Sequence, residues 1–273
     1  MTTFIAWVGA DSRGTASINF STDSRISWGS NGNPHWDMAQ KTFSSVFSAN
    51  IFAYVNDVMF PSMILGQIIN AIDNGVLFDS DERLEIRFQK VEEYIKNSHN
   101  LFPQQYRRSF CIFHAARSGT GLKSEFAINT MSWSRVTSKW KIARLIIPAT
   151  STIIAIDGTG KSAVSKWSAR WNASSQGGTS RAVFSSFCNA IYSGEDKFTN
   201  GSPQIVSLYR KGFGKNIGFV DGGKRYLSGA ELPISTIVNS SNIEWRNRYF
   251  ERCDISGELI KDAKKHHVPK GLI

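Results

Sequence analysis

The chain has 273 residues, of which 41% are hydrophobic and 20% charged, with a formal net charge of +10. This is the balance of a soluble globular protein with a substantial core, and no stretch approaches the ~20 apolar residues of a membrane span. Cys111, Cys188 and Cys253 stand too far apart for a metal knuckle or a disulfide framework. With scattered histidines and no export-like N-terminus, they exclude a metal cofactor and point to reduced thiols in a cytoplasmic protein.

The first element is a hairpin: "TTFIAWVG" is β-branched and aromatic, "ADSRG" is turn chemistry, and "TASINFST" alternates into a second strand. "KTFSSVF" and "ANIFAYV" form another strand pair. A helix follows in "PSMILGQIINAID", carried by Met63, Ile64, Ile68, Ile69 and Ile72. The next helix, in "SDERLEIRFQKVEEYIKN", sets Leu84, Phe88, Val91 and Ile95 on one face, with Ser80 or Asp81 as its cap. "SFCIFHAA" and "LKSEFAINT" flank the turn "RSGTG", and "STIIAI" reads as a short buried strand. Helices are expected over Lys161–Ala173 and Arg181–Ile191, then strands in "PQIVSLYR", "NIGFVD" and "KRYLS" with "DGG" as a tight turn.

Strands, two helices, strands, two helices and strands suit an α+β fold: two antiparallel sheets face to face between helix layers, a four-layer αββα sandwich. The expected domain covers residues 1–230, and residues 231–273 form a C-terminal extension with a basic tail. The basic residues are dispersed, at Arg107–Arg108, "KWKIAR", "RKGFGK" and "KDAKKHH", without a nucleic-acid-binding motif. They read as a solvated surface, with neither nucleic acid nor membrane expected as partner; a basic nucleic-acid module is the alternative, marked by salt-dependent retention.

Two motifs carry chemistry. "AIDGTGKS", from Ala155, fits the loose P-loop pattern, in which Gly158, Gly160, Lys161 and Ser162 would hold phosphate and Mg²⁺. The surrounding hairpins and the lack of a later strand ending in Asp or Glu weigh against it, so a P-loop NTPase is an alternative reading. The other motif is the start of the chain. Removal of Met1 would leave Thr2 with a nucleophilic hydroxyl and a base on one residue, since a free α-amine titrates near ~7.7–8.0.

Read in order, "TTFIAWVG", "STDSRISWG", "QKTFSSVFSANIFAYV", "IAIDGTGKSAV" and "EDKFTNGSPQIVSLY" resemble the landmarks of proteasome β-subunits and HslV-type peptidases, in the N-terminal-nucleophile (Ntn) hydrolase superfamily. The resemblance covers Thr2 to about Ser228. It implies a threonine peptidase acting on polypeptides with Thr2 as nucleophile, Asp23 and Lys41 as the pair that supports it, and no cofactor. It also implies that Thr159, Asp196 and Thr199 hold the α-amine and a water, and that a backbone N–H at Val55 or Asn56 meets the oxyanion. A homo-oligomeric ring and an ATPase or unfoldase partner are implied as well. The chain departs from the pattern at Ala53–Asp57, where the family carries glycines, at Thr199-Asn200, and in its longer first hairpin. These departures keep a second reading open, a catalytically silent or latent ring subunit of the same fold.

Overall fold

A computed structural model describes residues 2–272 other than Ser80, Val238 and Ser240, with only the backbone at Thr236. Met1 and Ser80, on which two expectations rest, lie outside the described residues.

The first hairpin comprises β1 (Thr3–Asp11) and β2 (Gly14–Thr22). A short ribbon, β3 (Ile26–Ser27) with β4 (His35–Trp36), precedes the pair β5 (Thr42–Ser44) and β6 (Asn50–Asn56). Helices α1 (Met59–Asp73) and α2 (Leu84–Leu101) lead to β7 (Phe110–Ser118), β8 (Glu125–Ser134), β9 (Lys139–Arg144) and β10 (Thr152–Gly158). Then come α3 (Lys161–Asn172), α4 (Ser180–Tyr192), β11 (Gln204–Tyr209), β12 (Lys215–Asp221), β13 (Lys224–Leu227), β14 (Ala230–Glu231), β15 (Glu244–Asn247) and β16 (Arg252–Cys253).

The fold is mixed α/β with antiparallel sheets and, among the described residues, four α-helices. One sheet runs β10-β1-β2-β11-β12-β13-β14, and the other runs β5-β6-β7-β8-β9. The residues beyond 230 also enter the first sheet: β15 runs parallel to β12, with Ile217 opposite Glu244, and β16 pairs with β15.

Alternation along each strand sorts the side chains. Phe4, Ala6, Val8, Ile18, Phe20, Val206 and Leu208 of the first sheet share one buried cluster with Ile51, Ala53, Val55, Cys111, Phe113 and Ala115 of the second. Phe4 stacks on Phe113 with ring centroids 3.9 Å apart. The intervening residues face helices: Ile5, Trp7 and Ile205 pack with α3 and α4, while Phe52, Tyr54 and Ile112 pack with α1 and α2. Burial on both faces explains why "TFIAWV" and "NIFAYV" read as unbroken apolar runs. Each Val, Leu, Ile or Phe among them contributes about 1.5–3 kcal/mol by leaving water.

Helix α1 buries Phe60, Ile64, Ile68 and Ile72, spaced by four, while Met63 from the expected stripe is half exposed. Helix α2 buries Leu84, Phe88, Val91 and Ile95 as expected, but it starts at Leu84 with Arg83 as cap and no side-chain capping bond, so Asp81 does not cap it. Helix α4 is capped by Thr179, whose Oγ1 accepts the Ala182 N–H at 3.1 Å. Strand β10 differs from its expected burial: it is the sheet edge, paired with β1, and every residue is only half buried.

Candidate active site at the start of the first strand

Pairing of β1 with β10 sets Thr3 opposite Gly158 and lays the "GTG" turn on the first residues of the chain. The Thr159 N–H donates to the Thr2 carbonyl at 2.9 Å. Gly158 has φ 91°, and a Cβ there would lie 1.6 Å from the Thr2 carbonyl oxygen. Gly160 approaches as closely: its N–H donates to Thr3 Oγ1 at 3.1 Å, and a Cβ would lie 2.1 Å from that oxygen. The Gly158 N–H bonds the Asp157 carboxylate at 2.7 Å. The N–H groups of Gly158, Thr159 and Gly160 are thus spent on protein oxygens, and the strand before them is antiparallel to its neighbour. That is not the geometry of a phosphate cradle. Lys161 and Ser162 fall in the first turn of α3.

Asp23 and Lys41 meet in a fully buried ion pair, Nζ to Oδ1 at 2.9 Å. Lys41 Nζ also donates to the Arg25 carbonyl at 2.6 Å. Asp23 further accepts the N–H of Thr3 at 2.9 Å on Oδ1, and those of Arg25 at 3.0 Å and Asn200 at 3.4 Å on Oδ2. Burial pushes the Lys41 amine below its ordinary pKa, and the Asp23 charge and hydrogen bond oppose that shift. Isolated in apolar surroundings, either charge would be expensive; together with backbone donors they form a satisfied unit that fixes Thr3 and the segment before it.

A second carboxylate closes the other side. Asp196 Oδ2 accepts the hydroxyls of Thr159 at 2.6 Å and Thr199 at 2.7 Å. Each hydroxyl has one proton. Thr199 spends its proton on Asp196, so its oxygen accepts from the hydroxyl of Thr3, with which it is hydrogen-bonded. The chain therefore runs in one direction, from Thr3 through Thr199 to Asp196.

Five of the expected site residues thus lie around the Thr2–Thr3 segment: Asp23, Lys41, Thr159, Asp196 and Thr199. Thr2, Thr3, Asp23 and Lys41 are fully buried. Val55 is buried in the core between the sheets, whereas Asn56 ends β6 with φ 76° and lines an open cleft of about 580 Å³. Asparagine tolerates this left-handed backbone better than other non-glycine residues. Ile26, Trp28, Val58, Met59 and Arg108 also line the cleft. It begins one residue beyond Arg25, whose carbonyl holds Lys41.

Sequence reasoning missed Thr3 and Arg25. The Arg25 guanidinium forks onto Asp37, Nε–Oδ1 2.7 Å and NH2–Oδ2 2.8 Å, and reaches the Lys197 carbonyl at 3.2 Å, linking the β3–β4 ribbon to the Asp196 loop. Its signal was present in "TDSR", but its partners lie 12 and 172 residues away. Among the described residues, no group of His, Cys, Asp and Glu side chains converges as a metal site, and no helix is long and apolar enough to cross a membrane.

No family model matches the chain, and no curated protein matches it. Among solved structures it is similar to eukaryotic HslV from Trypanosoma brucei, at 10% identity and TM-score 0.46 over 76% of this chain and 99% of that one. It is similar to an Anbu (Gly-1) mutant from Hyphomicrobium sp. strain MC1, at 9% identity and TM-score 0.48 over 77% and 82%. It is also similar to Anbu, described as an ancestral β-subunit, from Yersinia bercovieri, at 6% identity and TM-score 0.49 over 76% and 81%.

Proposed function

We propose that the chain is a proteasome-like threonine peptidase of four-layer αββα Ntn architecture, with Thr2 as nucleophile once Met1 is removed. The observation that carries the reading is the buried Lys41–Asp23 pair locked onto the Thr3 N–H, one residue beyond Thr2. The architecture is supported by the apolar clusters: one between the sheets and one between each sheet and its helix pair.

In this reading the Thr2 hydroxyl attacks a substrate carbonyl while the freed α-amine accepts its proton. The Lys41 ammonium stabilises the negative charge growing on the attacking oxygen, and Asp23 keeps that ammonium charged and in place. The Asn56 N–H stabilises the oxyanion at the cleft wall. Collapse of the tetrahedral adduct breaks the peptide C–N bond, the leaving amine takes the proton held by the α-amine, and water then hydrolyses the Thr2 ester. Thr159, Thr199 and Asp196 orient the start of the chain, and assembly into a homo-oligomeric ring belongs to the same reading.

The burial of Thr2 favours a second reading, a silent or latent ring subunit. Intact mass and a peptide panel on wild type and Thr2→Ala separate the two. A chain lacking Met1 that cleaves peptides, with turnover lost in Thr2→Ala, is the expected result. Equal turnover in both proteins overturns the threonine mechanism, and no turnover in a chain with free Thr2 favours the silent subunit.

A further inference from the structure

We propose that Gln204 is a positioning residue for the Lys41–Asp23 pair, a role that rests on the threonine-peptidase reading. Gln204 opens β11 and is only 1% exposed. Its Oε1 accepts the Lys41 backbone N–H at 2.9 Å and, more weakly, the Thr42 hydroxyl at 3.4 Å. Its Nε2, with two protons for three acceptors, lies 2.6 Å from the Ala39 carbonyl, 2.9 Å from the Ser24 hydroxyl and 3.2 Å from the Asp23 carbonyl, so one N–H is shared. The amide orientation is forced, because the Lys41 N–H can only donate and the Ala39 and Asp23 carbonyls can only accept.

The consequence is geometric. Lys41 reaches Asp23 from the segment leading into β5 of one sheet, and Asp23 follows β2 of the other. Gln204 clamps both sides, the backbone at Ala39 and Lys41 and, opposite, the Asp23 backbone and the Ser24 hydroxyl. The clamp sets the origin of both side chains, and so the position of the ammonium relative to Thr2. A carboxamide on a two-carbon stem is the chemistry required: asparagine falls short, methionine offers no polar atoms for these bonds, and glutamate donates only while protonated.

The test uses the chain with Thr2 free, verified by intact mass, and a peptide vinyl sulfone as covalent probe of the Thr2 hydroxyl. Wild type, Thr2→Ala, Gln204→Met and Gln204→Glu are compared for inactivation rate (kinact), reversible affinity (KI), pH profile, circular dichroism and melting. For a residue that only positions the reacting groups, a folded Gln204→Met shows kinact lower by about tenfold or more, with KI within about twofold and a displaced pH midpoint. Gln204→Glu, a backup should Gln204→Met fail to fold, keeps most of the wild-type rate measured at the same acid pH and falls below it as the new carboxyl ionises. A folded variant with wild-type kinact and an unshifted profile overturns the role alone, as does a loss confined to KI. Wild type left unlabelled with Thr2 free overturns the peptidase reading and this role with it.

Discussion

Gly158→Ala tests whether the glycine turn exists to hold the start of the chain. The new Cβ would lie 1.6 Å from the Thr2 carbonyl oxygen, which must retreat by about 1.4 Å to reach even 3.0 Å. That motion breaks the 2.9 Å bond from the Thr159 N–H and takes this donor from the carbonyl of the buried Thr2, costing ~1–3 kcal/mol. Holding alanine at φ 91° adds ~1–2 kcal/mol. The expected sum, roughly 2–5 kcal/mol, lowers the melting temperature of a chain this size by about 5–15 °C. Displacement of Thr2 on this scale also lowers probe labelling by about 100-fold. Gly75→Ala is the control: φ is 66° but nothing lies within 4 Å of the added methyl, so only the backbone cost of ~1–2 kcal/mol applies. Melting curves for the two variants, with labelling measured alongside, decide the matter. If Gly158→Ala melts no lower than Gly75→Ala, the close contact with Thr2 is not what the glycine serves.

Two further outcomes are expected. Lys41→Met strands the Asp23 carboxylate beneath its remaining backbone donors and destabilises by ~3–5 kcal/mol in denaturant titration, while adding Asp23→Asn recovers part of the loss; purely additive losses argue against a coupled pair. His99, packed 4.5 Å from Trp133 and 1% exposed, has a pKa lowered to about 4 by burial and then by Arg107, below its ordinary 6.5. Above pH about 6.5 both folded and unfolded forms are neutral; as pH falls towards 4 the unfolded chain takes up the proton first, so up to ~3 kcal/mol of stability is lost across that window. His99→Leu flattens the melting temperature between pH 7 and 4.5, and an unchanged slope refutes the attribution. His114, also buried and shifted down, adds to the slope in the same direction.

Much of the architecture was legible because its cause is local. Strands buried on both faces show as apolar runs, and the Leu84, Phe88, Val91, Ile95 stripe shows at helical spacing whatever the cap does. Elements whose stability comes from distant partners were harder to read. The four residues of β15 carry no strand pattern of their own and are ordered by β12, which precedes them by about two dozen residues. Strand β10 looked buried from composition, yet its place at the sheet edge is decided by which strands come next to it.

The site divides along the same line. Asp23 and Lys41 could be named only through the family resemblance of their motifs, and Gln204 could not be named, because its partners precede it by 162 to 181 residues and a glutamine opening a strand is unremarkable by itself. The "DGTGKS" stretch is the sharpest case. A phosphate cradle and a cradle for a threonine ask the chain for the same things: a tight turn, small residues and N–H groups aimed at an oxygen. What distinguishes them is which oxygen arrives. Here the antiparallel pairing of β1 with β10 delivers the Thr2 carbonyl and the Thr3 hydroxyl to that turn, from the opposite end of the sequence. Thr159, at a position the phosphate pattern leaves free, binds Asp196 and ties the turn to a second carboxylate, while Lys161 begins a helix.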